Sequence, residues 1–244
     1  RLFFSRELFM LEASATIMYN TLEVRDMQNF LNEVNSPLFD GIETGDRQAV
    51  LGCVGYHVGS YRKGDIVAFE AENIRHIGIL LSGSVDMIKE DLWGNKTMLV
   101  RSHKDDMFGE TFACGEDNLS VVAFVVSEDA QILFLPFDRV MHSCSMACEF
   151  HHRLIRNMVR IIANKNRDLM RKIEVVSKRS IREKILTYLS IQAQQQGKRY
   201  FEIPLGRLEL AEYLCVDRSA LTRELAKMQS EGLIDYDKNC FRIL

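Results

Sequence analysis

The chain has 244 residues, of which 47% are hydrophobic and 27% charged, with a formal net charge of −3 at pH 7. Such a chain can bury a sizeable core and has room for one small and one larger domain. No apolar run approaches the roughly 18–20 residues that cross a bilayer, and the first residues lack the pattern of a secretory signal, so we expect a soluble, cytoplasmic protein with no membrane partner.

The first 17 residues precede a natural starting point, Met18, after which the sequence becomes domain-like. We expect residues 1–17 to be a vector-derived or disordered lead and assign them no function.

From about residue 36 to residue 137, short β-prone runs alternate with turn residues. The runs lie at residues 66–69, 77–81, 85–88, 97–100, 121–126 and 131–135. The turn signals between them are Gly64-Asp65, Ser82-Gly83, Trp93-Gly94-Asn95 and Glu128-Asp129. Many short strands at close spacing predict a barrel or roll, which we place at residues 18–142.

A stretch without Gly or Pro follows, from about residue 143 to residue 177. Its apolar residues recur at steps of three and four, and the phase slips around Asn164-Lys165-Asn166. The length exceeds what a small domain needs, which favours a dimerisation helix over a long core helix.

Near the C-terminus, two short amphipathic segments joined by a tight turn have the pattern of a helix-turn-helix. The second segment follows Asp217, whose carboxylate can accept from the unpaired N–H groups of a helix start, and it stops before Gly232. We predict this second helix over about residues 218–231. The first is a packing helix, with one apolar face formed by Leu208, Leu210, Ala211 and Leu214.

The second helix presents one small, polar and cationic arc. Guanidinium groups can bind the O6/N7 edge of guanine or clamp phosphate, and short hydroxyl side chains let a helix sit deep in the major groove. The same charges would suit an ordinary solvated helix, and the helix alone leaves that alternative open. The residues that we expect to contact DNA are Arg218, Ser219, Thr222 and Arg223.

The flanking segments favour DNA binding. A β-prone run at residues 200–205 precedes the pair, and residues 233–236 and 240–243 follow as a hairpin around residues 237–239, which is a wing. Residues 177–244 carry 12 Lys and Arg against 9 Asp and Glu, net +3, whereas residues 1–176 carry 19 against 25, net −6. Because phosphate attraction grows with the number of contacts, this modest charge favours a dimer that doubles them. We place a winged helix-turn-helix domain at residues 178–244.

This order of roll, long helix and winged helix-turn-helix resembles the CRP/FNR (cyclic-AMP receptor protein/FNR) family of transcription regulators. The resemblance covers roughly residue 18 to the end. It is carried by Tyr61-Arg62-Lys63-Gly64-Asp65-Ile66, by Ile79-Leu80-Leu81-Ser82-Gly83-Ser84-Val85, by Phe108-Gly109-Glu110, and above all by Val216-Asp217-Arg218-Ser219-Ala220-Leu221-Thr222-Arg223-Glu224-Leu225.

The resemblance implies an α+β fold with an N-terminal double-stranded β-helix, a jelly roll of the cyclic nucleotide-binding type. It implies a homodimer under allosteric control by a small-molecule effector, bound to a near-palindromic site in double-stranded DNA, with RNA polymerase as a further candidate partner. By position, it assigns base contacts to Arg218, Ser219 and Arg223, with Thr222 beside them. The effector pocket is assigned to Phe108, Gly109, Glu110, Thr111 and Ser120.

The sequence departs from the family at the effector site. Cyclic-AMP-binding members carry Arg-Ser about eleven residues after Gly-Glu, and the Arg pairs with the cyclic phosphate. No Arg is near Ser120, and Glu116 and Asp117 add negative charge, so we predict an effector other than cyclic AMP. Cluster-binding members use several closely spaced N-terminal cysteines, whereas Cys53 alone precedes Cys114, so we predict no iron–sulfur cluster.

Two turns also depart from the family. Ala71 stands where a turn glycine is usual, and Asp105 stands where the turn before Phe108 normally has glycine. The shapes of both loops are therefore open.

Three alternatives stay open beside an effector-controlled regulator. The regulator could act without an effector, or it could respond to redox state or metal through Cys144 and Cys148, one helical turn apart. A cupin-like metalloenzyme would need a compact ligand set. Because His57, His76 and His103 stand alone in the sequence, we expect neither a catalytic residue nor a bound metal.

Overall fold

The structure, a computed structural model, describes residues 34–142 and 149–244. The lead at residues 1–17 and the cysteines Cys144 and Cys148 lie outside the described residues. The chain divides into two compact units, Arg1–Ile162 and Ala163–Leu244. The domain boundaries placed from the sequence stay predictions.

The roll of the first unit contains six antiparallel strands among the described residues. They are β1 (His57–Tyr61), β2 (Ile66–Ala68), β3 (His76–Glu90), β4 (Lys96–Ser102), β5 (Met107–Phe108) and β6 (Ala123–Pro136). β6 pairs with β1, β2 and β3, and β3 also pairs with β4 and β5. Because successive side chains alternate between faces, Ile79 and Leu133 join one hydrophobic cluster while Leu80 and Ile132 join the other.

Two of the predicted turns are wrong. The signals at residues 82–83 and 128–129 predict strand ends, but β3 and β6 continue through both. The pairing register between these strands shifts there, so the extra residues form β-bulges rather than turns. Gly83 has φ 77°, and a Cβ at that position would lie 2.2 Å from the carbonyl oxygen of Asp129, so only glycine fits the bulge.

The two non-glycine turns keep the left-handed backbone that glycine would supply. Ala71 has φ 64° and Asp105 has φ 72°. The Asp105 carboxylate accepts a hydrogen bond from the backbone N–H of Asn35 at 2.9 Å, which offsets part of its backbone strain, whereas Ala71 has no side chain that could do so.

Helices complete the first unit. A 3-10 turn (Pro37–Phe39) and α1 (Thr44–Val54) contribute buried residues to the larger core cluster. Two short helices, α2 (Glu110–Ala113) and α3 (Phe137–Met141), follow β5 and β6. The buried amide of Asn157 donates to the carbonyl oxygens of Leu38 and Asp40, at 2.9 Å each.

The long helix α4 (Glu149–Val176) carries two apolar faces. Near its beginning, Leu154 and Met158 are buried in the core of the first unit, and near its end Val175 is buried in the core of the second. A separate set of large apolar side chains is more than half exposed: Val159, Leu169, Met170 and Ile173.

The second unit is a winged helix-turn-helix, as the sequence predicts. Its helices are α5 (Ile181–Gln196), α6 (Arg207–Leu214) and α7 (Arg218–Ser230), and its strands are β7 (Tyr200–Glu202), β8 (Ile234–Asp237) and β9 (Cys240–Ile243), in the order β7-β9-β8. The predicted end of the second helix differs from the observed one by one residue. In the described part of the chain, no helix is both long and apolar enough to cross a membrane.

Candidate DNA-reading surface and effector pocket

The start of α7 is fixed by local hydrogen bonds. The Asp217 carboxylate accepts from the backbone N–H of Ala220 at 2.9 Å and from the hydroxyl of Ser219 at 2.6 Å. These bonds and the nearby charge of Arg223 lower the pKa of Asp217. The carboxylate is therefore ionised at neutral pH and caps the helix.

The four residues that the sequence assigns to DNA all lie at this helix start and are exposed. Together with Asp217 they line one open depression of about 560 Å³: Arg218, Ser219, Thr222 and Arg223. Within residues 34–142 and 149–244, neither Arg218 nor Arg223 forms an ion pair. Both guanidinium groups are thus available to a ligand.

The two hydroxyl groups on this surface are already engaged. Ser219 donates to the capping carboxylate, and Thr222 donates to the backbone carbonyl of Arg218 at 2.9 Å. A hydroxyl that donates within its own helix retains only acceptor capacity toward a base. The donors on this surface that could form bidentate bonds are therefore those of Arg218 and Arg223.

Two arginines that the sequence did not reveal attach the recognition helix and the wing to the rest of the second unit. Arg182 on α5 donates to Glu224 at 2.6 Å and to Glu231 at 2.7 Å, and thereby joins α5 to α7. These partners lie 42 and 49 residues away along the chain, so no local pattern reveals the pairs.

The second missed arginine is Arg207, at the start of α6. Its guanidinium lies over the rings of Tyr236 and Phe241, 4.8 and 5.2 Å from their centroids, and one nitrogen donates to the carbonyl of Lys238. Burial lowers the pKa of Arg207. Cation–π contacts and this hydrogen bond therefore attach the wing to α6.

In the first unit, the residues that the resemblance assigns to the effector separate into two groups. Phe108 and Gly109 line a pocket of about 240 Å³. Glu110, Thr111 and Ser120 are not among the residues that line it. Glu110 and Ser120 are buried, whereas Thr111 is exposed.

The segment around Ser120 is not arranged as an open anion cradle. The Ser120 hydroxyl is buried and donates to the carbonyl of Val122 at 2.7 Å. Leu119 stands just before it, and the Asn118 side chain donates to the carbonyl of Ala113 at 3.1 Å. A phosphate at this position would find no cationic side chain from residues 118–120.

Two of the histidines that stand alone in the sequence meet in the fold. The rings of His57 and His76 contact each other edge to face, with centroids 5.3 Å apart. β1 and β3 do not pair directly, and both pair with β6, so the contact could not be read from the sequence. Among the described residues, no group of three or more His, Cys, Asp or Glu side chains is arranged to hold a metal ion.

Comparison with known proteins gives two matches along the sequence. Residues 58–145 match the family of the cyclic nucleotide-binding domain, and residues 183–244 match that of the Crp-like helix-turn-helix domain. No curated protein matches the sequence significantly.

Solved structures of regulators share the fold. The c-di-GMP-responsive global regulator CLP of Xanthomonas campestris is 16% identical, with a TM-score of 0.55, over 82% of this chain and 99% of that one. CprK complexed with OCPA is 17% identical, with a TM-score of 0.56, over 76% of this chain and 86% of that one. The two domains in this order, and the fold that they share with these regulators, place the chain in the CRP/FNR family of DNA-binding transcription regulators, whose members are not enzymes.

Proposed function

We propose that the chain acts as a homodimer that reads an inverted-repeat operator through Arg218 and Arg223, under the control of a small molecule other than cyclic AMP. The observation that carries the proposal is the pair of exposed arginines at the start of α7, which form no ion pair with any residue that the structure describes. The N-terminal turn of a recognition helix is the part that contacts base edges in this motif.

The chemistry of this surface favours guanine. An arginine can donate two parallel hydrogen bonds to the O6 and N7 atoms of guanine, which is the commonest specific contact in the major groove. Ser219 and Thr222 are small, and their hydroxyl protons are used within the helix, so they let the helix approach the groove without adding a strong donor. The operator half-site should therefore contain two G·C pairs that depend on the two arginines.

Side chains along one side of α4 support the proposed dimer: Val159, Leu169 and Ile173 are more than half exposed, and Ile162 is partly buried. Val159, Ile162, Asn166, Leu169 and Ile173 follow one another at steps of three, four, three and four residues. This spacing is typical of the seam of a two-stranded coiled coil. A polar Asn within such a seam fixes its register at some cost in stability. We call these five residues the α4 seam.

The effector proposal rests on the missing cation at the phosphate position. The cyclic nucleotide-binding family matches the roll, but Leu119 precedes a Ser120 whose hydroxyl donates to Val122. A cyclic phosphate would lose its hydration there without gaining a guanidinium partner. A calorimetric titration with cyclic AMP should therefore show no binding at micromolar concentrations, and micromolar affinity would contradict this part of the proposal.

Replacement of Arg223 by Ala tests the DNA-reading function. We expect a loss of about 1–3 kcal/mol in binding to the operator and little loss on scrambled DNA, because only the operator offers the guanine. Fluorescence anisotropy with both DNA molecules measures the difference. Arg199→Ala, which removes the same charge from the loop before β7, is the matched control and should affect both sequences alike. Unchanged operator affinity for Arg223→Ala would contradict the groove assignment.

A further inference from the structure

The roll contains an aromatic pocket that the phosphate position of the family does not explain. Its walls include six aromatic or imidazole rings: His57, Tyr61, His76, Phe108, Phe124 and Phe134. Its floor and sides are completed by Val67, Ala68 and Ile74. Polar groups from residues 72–76 lie along the rest of the lining.

The sheet register explains why a cavity forms here. His57 pairs with Phe134, Phe134 pairs with Gly78, and Gly78 pairs with Phe108, so the four residues form one cross-strand row. Directly opposed residues lie on the same face of a sheet. Gly78 leaves a gap in the row, and the ring of Phe108 covers it, because a Cβ at Gly78 would lie 2.5 Å from that ring.

A second glycine positions Tyr61. His57, Gly59 and Tyr61 alternate along β1 and therefore share a face. A Cβ at Gly59 would lie 2.7 Å from the Tyr61 ring, so the ring folds back over the glycine and closes that side of the pocket. Tyr61 and Phe134 meet edge to face, with centroids 6.3 Å apart. The two glycines thus shape an aromatic cavity rather than a packed row.

One cationic side chain of the lining, Arg75, can bind an anion. Arg75 is exposed and, within the described part of the chain, forms no ion pair. Burial lowers the pKa of both His57 and His76, and a neighbouring charge lowers it further, that of His76 for His57 and that of Arg75 for His76. At neutral pH each ring can therefore donate an N–H without carrying charge. Glu72 is the single carboxylate in the lining, and it accepts a bond from the backbone N–H of Phe69 at 2.8 Å.

The volume limits the ligand to a small molecule. A cavity of about 150 Å³ admits one benzene ring, and this pocket measures about 240 Å³. We propose that it binds a small aromatic carboxylate, with the ring between Tyr61, Phe108 and Phe134 and the carboxylate at Arg75. This inference rests on the proposed function, in which the roll is the effector-binding domain, and it names the class of effector and the side chains that recognise it.

Three probes of nearly equal size and different charge test the inference: benzoate, benzamide and benzamidine. In calorimetric titrations of the full chain at about 1 mM probe, benzoate should bind at least about tenfold more tightly than benzamide, because a charge-assisted hydrogen bond to Arg75 is lost with the neutral amide. Benzamidine should bind most weakly. Arg75→Gln should abolish the preference for benzoate, whereas Arg62→Gln, an exposed arginine beside Tyr61, should retain it.

Three results would overturn the inference: no binding of any probe, a preference for the neutral or cationic probe, or a benzoate preference that survives Arg75→Gln. Operator binding by the same samples separates this inference from the proposed function. A chain that binds its operator but not benzoate overturns only the ligand class. A chain that binds benzoate but no DNA overturns the proposed function and leaves the pocket assignment standing.

Discussion

The recognition surface and the aromatic pocket place their important side chains in opposite ways. The recognition surface takes all its residues from one exposed helix start within residues 217–223. The pocket takes its rings from four strands between residues 57 and 134. A surface built from one helical turn follows from the local sequence, whereas a cavity built across a sheet depends on register and bulges. The proposed DNA contacts therefore depend on local sequence, and the proposed ligand site depends on the fold.

The largest expected effect concerns the α4 seam, which in the proposed dimer brings together two recognition surfaces. Ile173→Asp places a charge in a coiled-coil seam and should convert the dimer to a monomer, with a loss of about a hundredfold or more in operator affinity. Analytical ultracentrifugation and anisotropy measure the two effects. Asn164→Asp adds the same charge on the opposite side of the helix and should leave both unchanged. A dimeric Ile173→Asp variant would show that the seam lies elsewhere.

The sequence predicts the helix that carries Arg218 and Arg223 because each of its signals is local. Asp217 as a cap, the spacing of Leu221, Leu225 and Met228, and Gly232 after the helix act within a few residues of one another, and the structure places them as predicted. The pocket had no such signal. His57 meets His76 only because both of their strands pair with β6.

The predicted turns failed for a related reason. Ser82-Gly83 and Glu128-Asp129 are good turn formers. In the fold they lie opposite each other in the paired strands β3 and β6, where they form β-bulges instead of turns. Long-range pairing outweighed the local preference. The partners of Arg182 and Arg207 also lie far away along the chain, so neighbouring residues do not reveal these contacts.

The next largest effect is expected at Gly78, which lies against the Phe108 ring of the pocket. Gly78→Ala forces a Cβ to within 2.5 Å of the Phe108 ring, and such overpacking should cost about 1–3 kcal/mol in the free energy of unfolding. Urea denaturation measures the loss. Gly52→Ala in α1, where a Cβ meets nothing within 4 Å, is the control and should be stabilising by up to about 1 kcal/mol. Equal effects at the two positions would contradict the cross-strand row.

A smaller gain in stability is expected at the loop that departs from the family. Ala71 has φ 64°, so Ala71→Gly should relieve backbone strain and stabilise the chain by about 0.5–1 kcal/mol, even after the larger entropy of the unfolded glycine. Ala49→Gly, within α1, should instead destabilise by about 1 kcal/mol. The two urea midpoints should therefore move in opposite directions, and a shift of both to lower urea would count against the strain.

The smallest expected effect is a pH dependence from the pocket histidines. Because burial lowers the pKa of His57 and of His76 below 6.5, the unfolded chain binds more protons than the folded chain just below pH 6.5. Their contribution to stability is complete above about pH 6.5 and is lost as the pH falls through the folded pKa values. The unfolding free energy should thus decline less steeply toward acid in His57→Phe, which keeps a ring against Phe134. Parallel pH profiles would contradict this contribution.

Selection of bound DNA from a random pool tests the central claim most directly, that Arg218 and Arg223 read the operator as a dimer. The wild-type chain should select an inverted repeat whose half-sites are about one helical turn apart, each with two G·C pairs. Arg223→Ala should select the same repeat with one of those pairs no longer specified. A selected site without two-fold symmetry, or a repeat whose G·C pairs are unchanged in Arg223→Ala, would contradict the account.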